Sequence, residues 1–141
     1  MKIVVLAQGK LKERALRELV DDYLGRIRRY ARCDEIEVKE GDELVRAVPK
    51  DALLVALEVD GERLSSTELS ERIERWGSSG KGVVAFAIGG SEGLPPALRA
   101  LAKARLSLSS LTLPHRLARL ILAEQIYRAF SIARGEPYAR E

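Results

Sequence analysis

The chain has 141 residues, of which 46% are hydrophobic, and its 24 Lys and Arg against 21 Asp and Glu give a formal charge of +3. This length and composition predict a single domain over residues 1–141 and exclude an intrinsically disordered chain. One cysteine, Cys33, and one histidine exclude a disulfide scaffold and a zinc site built from Cys/His pairs. Because the N-terminus lacks a signal-peptide core and no apolar run approaches about 18 residues, we expect a cytoplasmic protein with no membrane and no metal partner.

Charge is segregated along the chain. Residues 10–32 hold eight basic and four acidic side chains, residues 34–80 hold six and thirteen, and residues 97–141 hold eight and three. If the two basic ends meet in space, they form a positive surface of the kind that attracts a phosphate backbone. Solvated helix faces with local ion pairs would give the same pattern, so both interpretations stay open.

The first part of the chain predicts strands and helices in alternation. Residues 2–7 form a continuous apolar run typical of a buried strand, and apolar residues spaced by three and four over 11–27 predict an amphipathic helix of about five turns. Residues 35–38 alternate like a short strand, and 42–48 predict a short helix that ends at Pro49. A long crossover between consecutive strands is the mark of parallel pairing.

The middle of the chain repeats this alternation. Residues 52–57 predict a second buried strand, closed by a turn at Asp60-Gly61. A serine followed by acidic residues predicts a capped helix over 65–76, residues 77–82 a flexible break, and 83–88 a third buried strand. The chain is therefore expected to be an α/β protein with a mostly parallel sheet flanked by helices.

The last fifty residues differ in character. Two prolines open a predicted helix over 95–103, residues 106–108 predict a short strand, and 115–133 a long helix. That helix is apolar on more than one side, so we expect it to pack both on its own sheet and on a second copy of the chain.

A glycine-rich segment, Gly89-Gly90-Ser91-Glu92-Gly93, follows the third buried strand. This position suggests a nucleotide site at the carboxyl ends of the strands. However, Ser91 stands where a G-x-G-x-x-G motif needs its second glycine, and Glu92 would repel a pyrophosphate. The segment therefore favours a ligand with cationic groups, or a turn that needs only glycine torsion angles.

The following loop alternates leucine with small hydroxyl residues. Apolar walls together with backbone and hydroxyl hydrogen-bonding groups are typical of a pocket for a flat heterocycle, although a loop with buried leucines would look similar. His115, which comes directly after it, is either a capping or packing residue or a proton acceptor, and the helix N-terminus would keep its imidazole neutral. The alternating residues are Leu108, Ser109, Ser110, Leu111, Thr112 and Leu113.

Four motifs in order resemble one known family. They are residues 84–94, 106–115 and 123–129, and a tail that contains Pro137-Tyr138 and Arg140-Glu141. The chain resembles the RlmH (YbeA-type) family of bacterial SPOUT-class methyltransferases over essentially its whole length, with a looser match near residues 31–51. The family tail commonly reads Tyr-His-Arg-Glu, whereas Ala139 replaces that histidine here.

The resemblance implies a SPOUT-type fold with a C-terminal trefoil knot, built as a homodimer. It implies S-adenosylmethionine as the methyl donor and N3 of a pseudouridine in helix 69 of 23S rRNA, on the assembled 70S ribosome, as the acceptor. By position in the matching motifs, the donor-binding residues would be Leu57, Gly89 and the run from Leu108 to Leu113.

Methyl transfer to an imide nitrogen needs alignment and stabilisation of negative charge. We expect Arg128, Tyr138 and Arg140 on the acceptor side, Glu124 orienting Arg128, and His115 as a candidate proton acceptor. Two other functions stay open: a SPOUT methyltransferase acting on another RNA such as tRNA, and a nucleotide-binding dimer without catalysis.

Overall fold

The structure, a computed structural model, describes residues 1–140; Glu141, the last residue of the tail motif, lies outside the described residues. Strands and helices alternate along this part of the chain. The elements are β1 (Lys2–Gln8), α1 (Arg14–Ile27), β2 (Arg32–Val38), α2 (Gly41–Ala47), β3 (Leu53–Arg63), α3 (Ser66–Ser79), β4 (Val83–Ile88), α4 (Pro96–Leu101), β5 (Ala104–Ser107), α5 (His115–Ala133) and a 3-10 tail helix (Pro137–Arg140).

The strands form one sheet in the order β2-β1-β4-β3-β5, and each neighbouring pair is parallel. The prediction of a mostly parallel α/β sheet flanked by helices is therefore confirmed. Because all strands run the same way, the loops that follow them meet at one edge of the sheet, called here the carboxyl edge. The trefoil knot implied by the family resemblance stays a prediction.

Two apolar layers cover the sheet. Along β1, Ile3 and Val5 join Phe86 in the larger core, which α1, α3 and α5 cover, whereas Val4 and Leu6 join a smaller core under α2 and α4. Successive side chains of a strand point to opposite faces, so burial on both faces explains why β1 lacks a polar side. Both faces are thus closed, and the carboxyl edge is where a site can open.

Helix α3 begins as the sequence predicts but ends later. The Ser65 hydroxyl accepts a hydrogen bond from the Glu68 amide at 3.1 Å, and the Glu68 carboxylate accepts one from the Ser65 amide at 2.9 Å, which completes a capping box. The flexible break expected over 77–82 is wrong in its first half, because α3 continues through Gly77 to Ser79. Gly77 is buried and its missing side chain leaves room for that of Met1.

Strand β3 also differs from its prediction. The expected turn at Asp60-Gly61 is wrong, because β3 continues to Arg63 after a shift of its pairing with β5 between Leu57 and Glu62. A Cβ at Gly61 would lie 2.8 Å from the Leu106 carbonyl carbon, so glycine is needed there for the close approach of β5 rather than for a turn.

The two basic ends of the sequence do meet, because α1 packs against α5. Several of their arginines are nevertheless taken up in ion pairs: Arg14 pairs with Glu18 at 3.1 Å, and Arg116 pairs with Glu13 at 2.8 Å. The structure therefore brings the basic ends together and pairs some of their arginines, and attraction of a phosphate backbone stays a prediction. Over the described residues, the helices are too short or too polar to cross a bilayer.

Candidate functional site

A cavity of about 500 Å³ opens at the carboxyl edge, a size within the range of small-molecule sites. Three chain segments line it, namely the part of β3 where its pairing with β5 shifts and the loops that follow β4 and β5, and the start of α5 closes one side. The residues predicted here that line it are Leu57, Gly89, Leu108, Ser109, Leu111, Thr112, Leu113 and His115. Ser110, also predicted, is exposed and lies outside the lining.

The segment from Gly89 to Gly93, called here the glycine turn, is built from closely packed backbone. A Cβ at Gly89 would collide with the Gly93 carbonyl and lie 2.8 Å from the Leu94 nitrogen, so a side chain is excluded. Gly93 has φ of +79°, a conformation that favours glycine, and it pairs across the turn with Gly90. The Gly90 amide donates to Gln8 Oε1 at 3.3 Å, which ties the turn to the end of β1.

The run from Leu108 to Leu113, called here the Leu/Ser/Thr segment, is fixed by hydrogen bonds of serine hydroxyl groups. Ser107 Oγ donates to the Ser109 carbonyl at 3.0 Å, and the Leu111 amide donates to Ser109 Oγ at 2.9 Å. In this loop conformation the Leu111 residue lies at the cavity wall and is 74% exposed. An exposed leucine on a loop fixed in this way is suited to cover the flat face of a ligand.

His115 is fixed against the glycine turn. Its Nδ1 lies 2.8 Å from the Gly89 carbonyl oxygen, and since a carbonyl can only accept, Nδ1 carries the proton. Nε2 is buried and has no hydrogen-bond partner among residues 1–140. Burial lowers the pKa of the imidazole, the bond to Gly89 opposes that effect, and Arg119 adds to it. The ring is therefore neutral at pH 7, as predicted, with burial as the larger cause.

Three charged residues that the sequence analysis did not name as site residues also line the cavity: Glu58, Asp60 and Arg99. Glu58 pairs with Arg99 at 2.6 Å and with Arg105 at 2.5 Å, and Asp60 pairs with Arg105 at 2.7 Å. A signal was available for Glu58 and Asp60, because they directly follow the apolar run over residues 52–57, whereas Arg99 lies on α4. Glu92 also lines the cavity and forms no ion pair with any residue in 1–140, and a carboxylate beside a glycine turn with no phosphate-binding pattern fits a cationic ligand such as a sulfonium with an α-ammonium group.

A second group, called here the tail cluster, consists of Glu124, Arg128, Tyr138 and Arg140. Glu124 accepts from Arg128 Nη2 at 2.9 Å and from the Tyr138 hydroxyl at 2.6 Å, and the Arg128 guanidinium lies 4.9 Å from the centre of the Tyr138 ring. Gln125 Nε2 donates to the other Glu124 oxygen at 2.8 Å. Glu124 thus holds Arg128 and Tyr138 together, as the predicted orienting role requires.

Tyr138 acts here as a hydrogen-bond donor. Burial and the hydrogen bond to Glu124 raise the pKa of its hydroxyl far above the ordinary value. It therefore stays protonated at neutral pH and is no candidate base.

Arg128 and Arg140 both line a polar cavity of about 680 Å³ beside the tail helix, together with Ser66, Thr67, Gln125, Ile132, Gly135, Glu136 and Ala139.

The two cavities have no lining residue in common. His115 and Ala118 border the first at the start of α5, whereas Arg128 borders the second about ten residues later, roughly 15 Å along the helix axis. Of the five residues predicted to act in catalysis, the structure brings Glu124, Arg128, Tyr138 and Arg140 together at the tail. It places the fifth, His115, in the other cavity.

Comparison with known proteins agrees with this architecture. A family model described as "Predicted SPOUT methyltransferase" matches residues 1–139. A protein of Sorangium cellulosum (strain So ce56), named Ribosomal RNA large subunit methyltransferase H, is 54% identical over 144 residues that cover 99% of this chain and 99% of the relative. A protein of the same name from Acetivibrio thermocellus is 40% identical over 159 residues that cover 99% of this chain and 100% of the relative.

The fold has matches among solved structures. The SpoU methyltransferase AviRb of Streptomyces viridochromogenes, in complex with the cofactor AdoMet, superposes with a TM-score of 0.53 at 13% sequence identity. The match covers 89% of this chain and 56% of that one, and it supports the fold alone. With a family model that spans nearly the whole chain and relatives at least 40% identical over their full lengths, the chain belongs to the SPOUT methyltransferase family.

Proposed function

We propose that this protein transfers a methyl group from S-adenosylmethionine to N3 of a pseudouridine in helix 69 of 23S rRNA, on the assembled 70S ribosome in the cytoplasm. The observation that carries the proposal is the cavity at the carboxyl edge, whose glycine turn excludes an added side chain and whose lining holds three carboxylates against one guanidinium. Its support is that this cavity occurs in a chain with full-length relatives named Ribosomal RNA large subunit methyltransferase H.

The donor-binding residues in this proposal are Leu57, Gly89 and the segment from Leu108 to Leu113, with Ser110 contributing through the backbone of its loop. S-adenosylmethionine supplies a methyl group on a sulfonium, so no metal and no external base is needed to make the methyl reactive. The Leu/Ser/Thr segment holds the flat base, and Glu92, which has no ion pair among residues 1–140, supplies negative charge for the cationic end.

The acceptor side in this proposal is the tail cluster. Attack by the imide nitrogen requires loss of its proton, and the resulting anion is stabilised by fixed positive charge. Arg128 and Arg140 supply that charge at the second cavity. Glu124 acts as a positioning residue, because it holds both Arg128 and the Tyr138 hydroxyl.

We propose a positioning role for His115 in donor binding, in place of the proton transfer considered in the sequence analysis. Its Nδ1–H donates to the Gly89 carbonyl and its Nε2 is buried, and both features favour positioning over proton transfer. Ala139 stands where the family commonly has histidine. We propose that alignment of acceptor and donor and the positive charge of the arginines accelerate methyl transfer, and that the imide proton is released to solvent.

We further propose a homodimer in which the tail of one copy completes the donor cavity of the other. Within one chain the two cavities lie at opposite ends of α5 and have no lining residue in common. Leu19 and Leu117 are exposed, and an apolar groove of about 310 Å³ lies between α1 and α5 beside Leu120 and Ile121. A second copy seated on this face would bury the groove and bring the two sites together.

The function is tested by methyl transfer from labelled S-adenosylmethionine to three substrates: 70S ribosomes from a strain that lacks the gene, free 23S rRNA and total tRNA. We expect incorporation into 70S particles alone, with mass spectrometry locating one methyl on one pseudouridine of helix 69. Incorporation into tRNA instead would favour the other SPOUT activity. If calorimetry detects no binding of S-adenosylmethionine, both enzyme functions are overturned in favour of a non-catalytic dimer.

The shared site is tested by mixing two inactive variants. Gly89→Ala removes the donor cavity but keeps the tail, whereas an Arg128→Ala, Tyr138→Ala double variant keeps the cavity but removes the tail. After subunit exchange, mixed dimers contain one intact cavity facing one intact tail, so we expect activity to return. If the tail serves its own chain, the mixture stays inactive.

A further inference from the structure

The loop between β1 and α1, residues 9–13, is held by a buried ion cluster. The Arg119 side chain on α5 is only 1% exposed, and its Nη1 donates to the Gly9 carbonyl at 3.0 Å. Its Nη2 pairs with Glu35 at 2.6 Å and with Glu37 at 2.5 Å, both on β2. One buried guanidinium therefore ties the long helix and an edge strand to the backbone of this loop.

The loop has two further attachments. Glu37 Oε2 accepts the Leu11 amide at 3.2 Å and also pairs with Arg17 at 3.1 Å. Nearer the surface, Glu13 pairs with Arg116 at 2.8 Å. The loop is thus held at its beginning, its middle and its end, all by charged groups.

Stability alone is a poor explanation for such a cluster. Moving charges out of water is costly, and a well-packed apolar group often stabilises a fold as well as a buried ion pair does. A buried ion cluster does, however, impose one geometry on the groups that it bonds. The cluster therefore holds the backbone of the loop, and so the points from which its side chains extend, in one conformation.

The loop presents two lysines beside the donor cavity. Lys10 and Lys12 are exposed and form no ion pair with any residue in 1–140, unlike the neighbouring Arg14. The residue before the loop, Gln8, accepts the Gly90 amide at 3.3 Å, so the loop adjoins the glycine turn. The backbone that carries these two unpaired positive charges is thus fixed at the edge where the cavity opens.

We propose that this loop binds the phosphate backbone of the substrate RNA, with Lys10 and Lys12 each paired to a phosphate while the acceptor base enters the cavity. This inference rests on the proposed function and adds the surface that receives its substrate. Lysine suits the role because it binds a phosphate as a point charge without reading sequence. A loop held in advance loses little conformational entropy on binding.

The test is a Lys10→Gln, Lys12→Gln double variant, with binding to 70S ribosomes measured by cosedimentation over a KCl series at constant Mg²⁺. Removing one lysine–phosphate pair is expected to reduce the slope of log K against log[KCl] by about 1. We expect the slope to fall by about 2 and the Kd to rise roughly tenfold at physiological salt. The affinity for S-adenosylmethionine should stay the same.

A matched control carries the same charge change at the opposite edge of the sheet. Lys50 and Lys103 are exposed and precede β3 and β5, so they lie at the amino ends of the strands. Lys50→Gln, Lys103→Gln should keep the salt slope of the wild type. If the loop variant keeps the wild-type slope, or if both variants lower the slope equally, the loop lysines have no specific part in binding and the inference is overturned.

The role of the buried cluster has its own readout. Glu37→Gln keeps the shape of the side chain but removes the charge that holds Arg119 and the Leu11 amide. We expect faster hydrogen exchange at the Leu11 amide and weaker ribosome binding, with donor affinity unchanged. An unchanged exchange rate would show that the buried ion cluster does not hold the loop. Because these measurements follow binding and not turnover, wild-type protein that binds 70S particles without methylating them would overturn the proposed function alone.

Discussion

The cavity at the carboxyl edge, which we propose binds the donor, and the tail cluster lie at opposite ends of α5 and are built in different ways. The cavity is formed by loops, and its glycine turn leaves no room for an added side chain. The tail cluster depends on long side chains, where one carboxylate on Glu124 holds a guanidinium and a phenol. The first site depends on close backbone packing at its glycine turn, and the second on a network of side chains.

This difference separates two kinds of function. A cavity shaped by loops binds a ligand that is the same in every turnover, and the affinity for that ligand depends on whether the loops keep their shape. A side-chain network aligns and stabilises charge during the reaction, so its loss is expected in the rate instead of in donor affinity. Variants at the two sites should therefore affect different constants.

The largest effect is expected for Gly89→Ala. The added Cβ would meet the Gly93 carbonyl and the Leu94 nitrogen, so the glycine turn must move. We expect donor affinity to fall about 100-fold or more, equivalent to roughly 3 kcal/mol. Calorimetry with S-adenosylmethionine measures this, and wild-type affinity would mean that the turn is not part of the donor site.

Gly25→Ala is the matched control for that change. Gly25 lies on the exposed face of α1, and a Cβ there would meet no atom within 4 Å. Alanine is the better helix former, so the unfolding free energy should rise by about 0.5–1 kcal/mol with donor binding unchanged. Denaturant titration checks the first expectation and calorimetry the second.

A smaller effect, on turnover alone, is expected for Tyr138→Phe. The ring stays, but the hydrogen bond to the Glu124 carboxylate is removed, which is worth about 1.5–3 kcal/mol for a charged partner. We expect kcat to fall roughly 10- to 100-fold while donor affinity stays within twofold. The control is Tyr23→Phe on α1, which removes the longer 3.4 Å contact between the Tyr23 and Tyr138 hydroxyls and keeps the Tyr138–Glu124 bond. Loss of donor affinity in Tyr138→Phe would contradict the division between the sites.

A tenfold effect on donor affinity is expected at His115. Asparagine can replace the Nδ1–H that donates to Gly89, whereas glutamine places its amide one atom too far away. We expect His115→Asn to bind the donor within about threefold of wild type and His115→Gln to bind roughly tenfold more weakly, from the loss of one hydrogen bond. Equal affinities for the two variants would exclude the positioning role.

The same residue predicts a pH effect. The pKa of His115 is lowered from 6.5 in the folded protein, so the unfolded chain takes up its proton first as the pH falls. The unfolding free energy should therefore decrease as the pH drops below about 6.5, and His115→Asn should remove this dependence. Thermal unfolding between pH 7.5 and 5.5 measures it.

The smallest effect is expected where Glu136, just before the tail helix, bonds to Tyr30 in the turn after α1. The Tyr30 hydroxyl donates to Glu136, and its ring stacks on Phe130 at 5.6 Å. Burial and the Glu136 carboxylate raise the pKa of Tyr30 to about 12, so this bond stabilises the fold below pH 10 and is lost as the pH rises toward 12. Tyr30→Phe should lower the unfolding free energy by about 1 kcal/mol at pH 8 and remove that alkaline loss.

Local pattern was sufficient for most of the elements. The apolar run of β1, the serine cap of α3 and the limits of α5 follow from short stretches of sequence, because burial on two faces, capping and helical spacing each act within a few residues. The errors at Gly61 and Gly77 have one cause. Each glycine was taken as a local break, whereas each leaves room for a distant segment of the chain.

The sequence by itself determined the alternation of strands and helices, and motif resemblance indicated the two candidate sites and their residues. Only the tertiary structure decided that His115 lines the cavity at the carboxyl edge and that Arg119 is buried against Glu35 and Glu37. The reason is physical: these partners are 26 to 84 residues apart in the chain, and only parallel strand pairing and the packing of α5 bring them into contact.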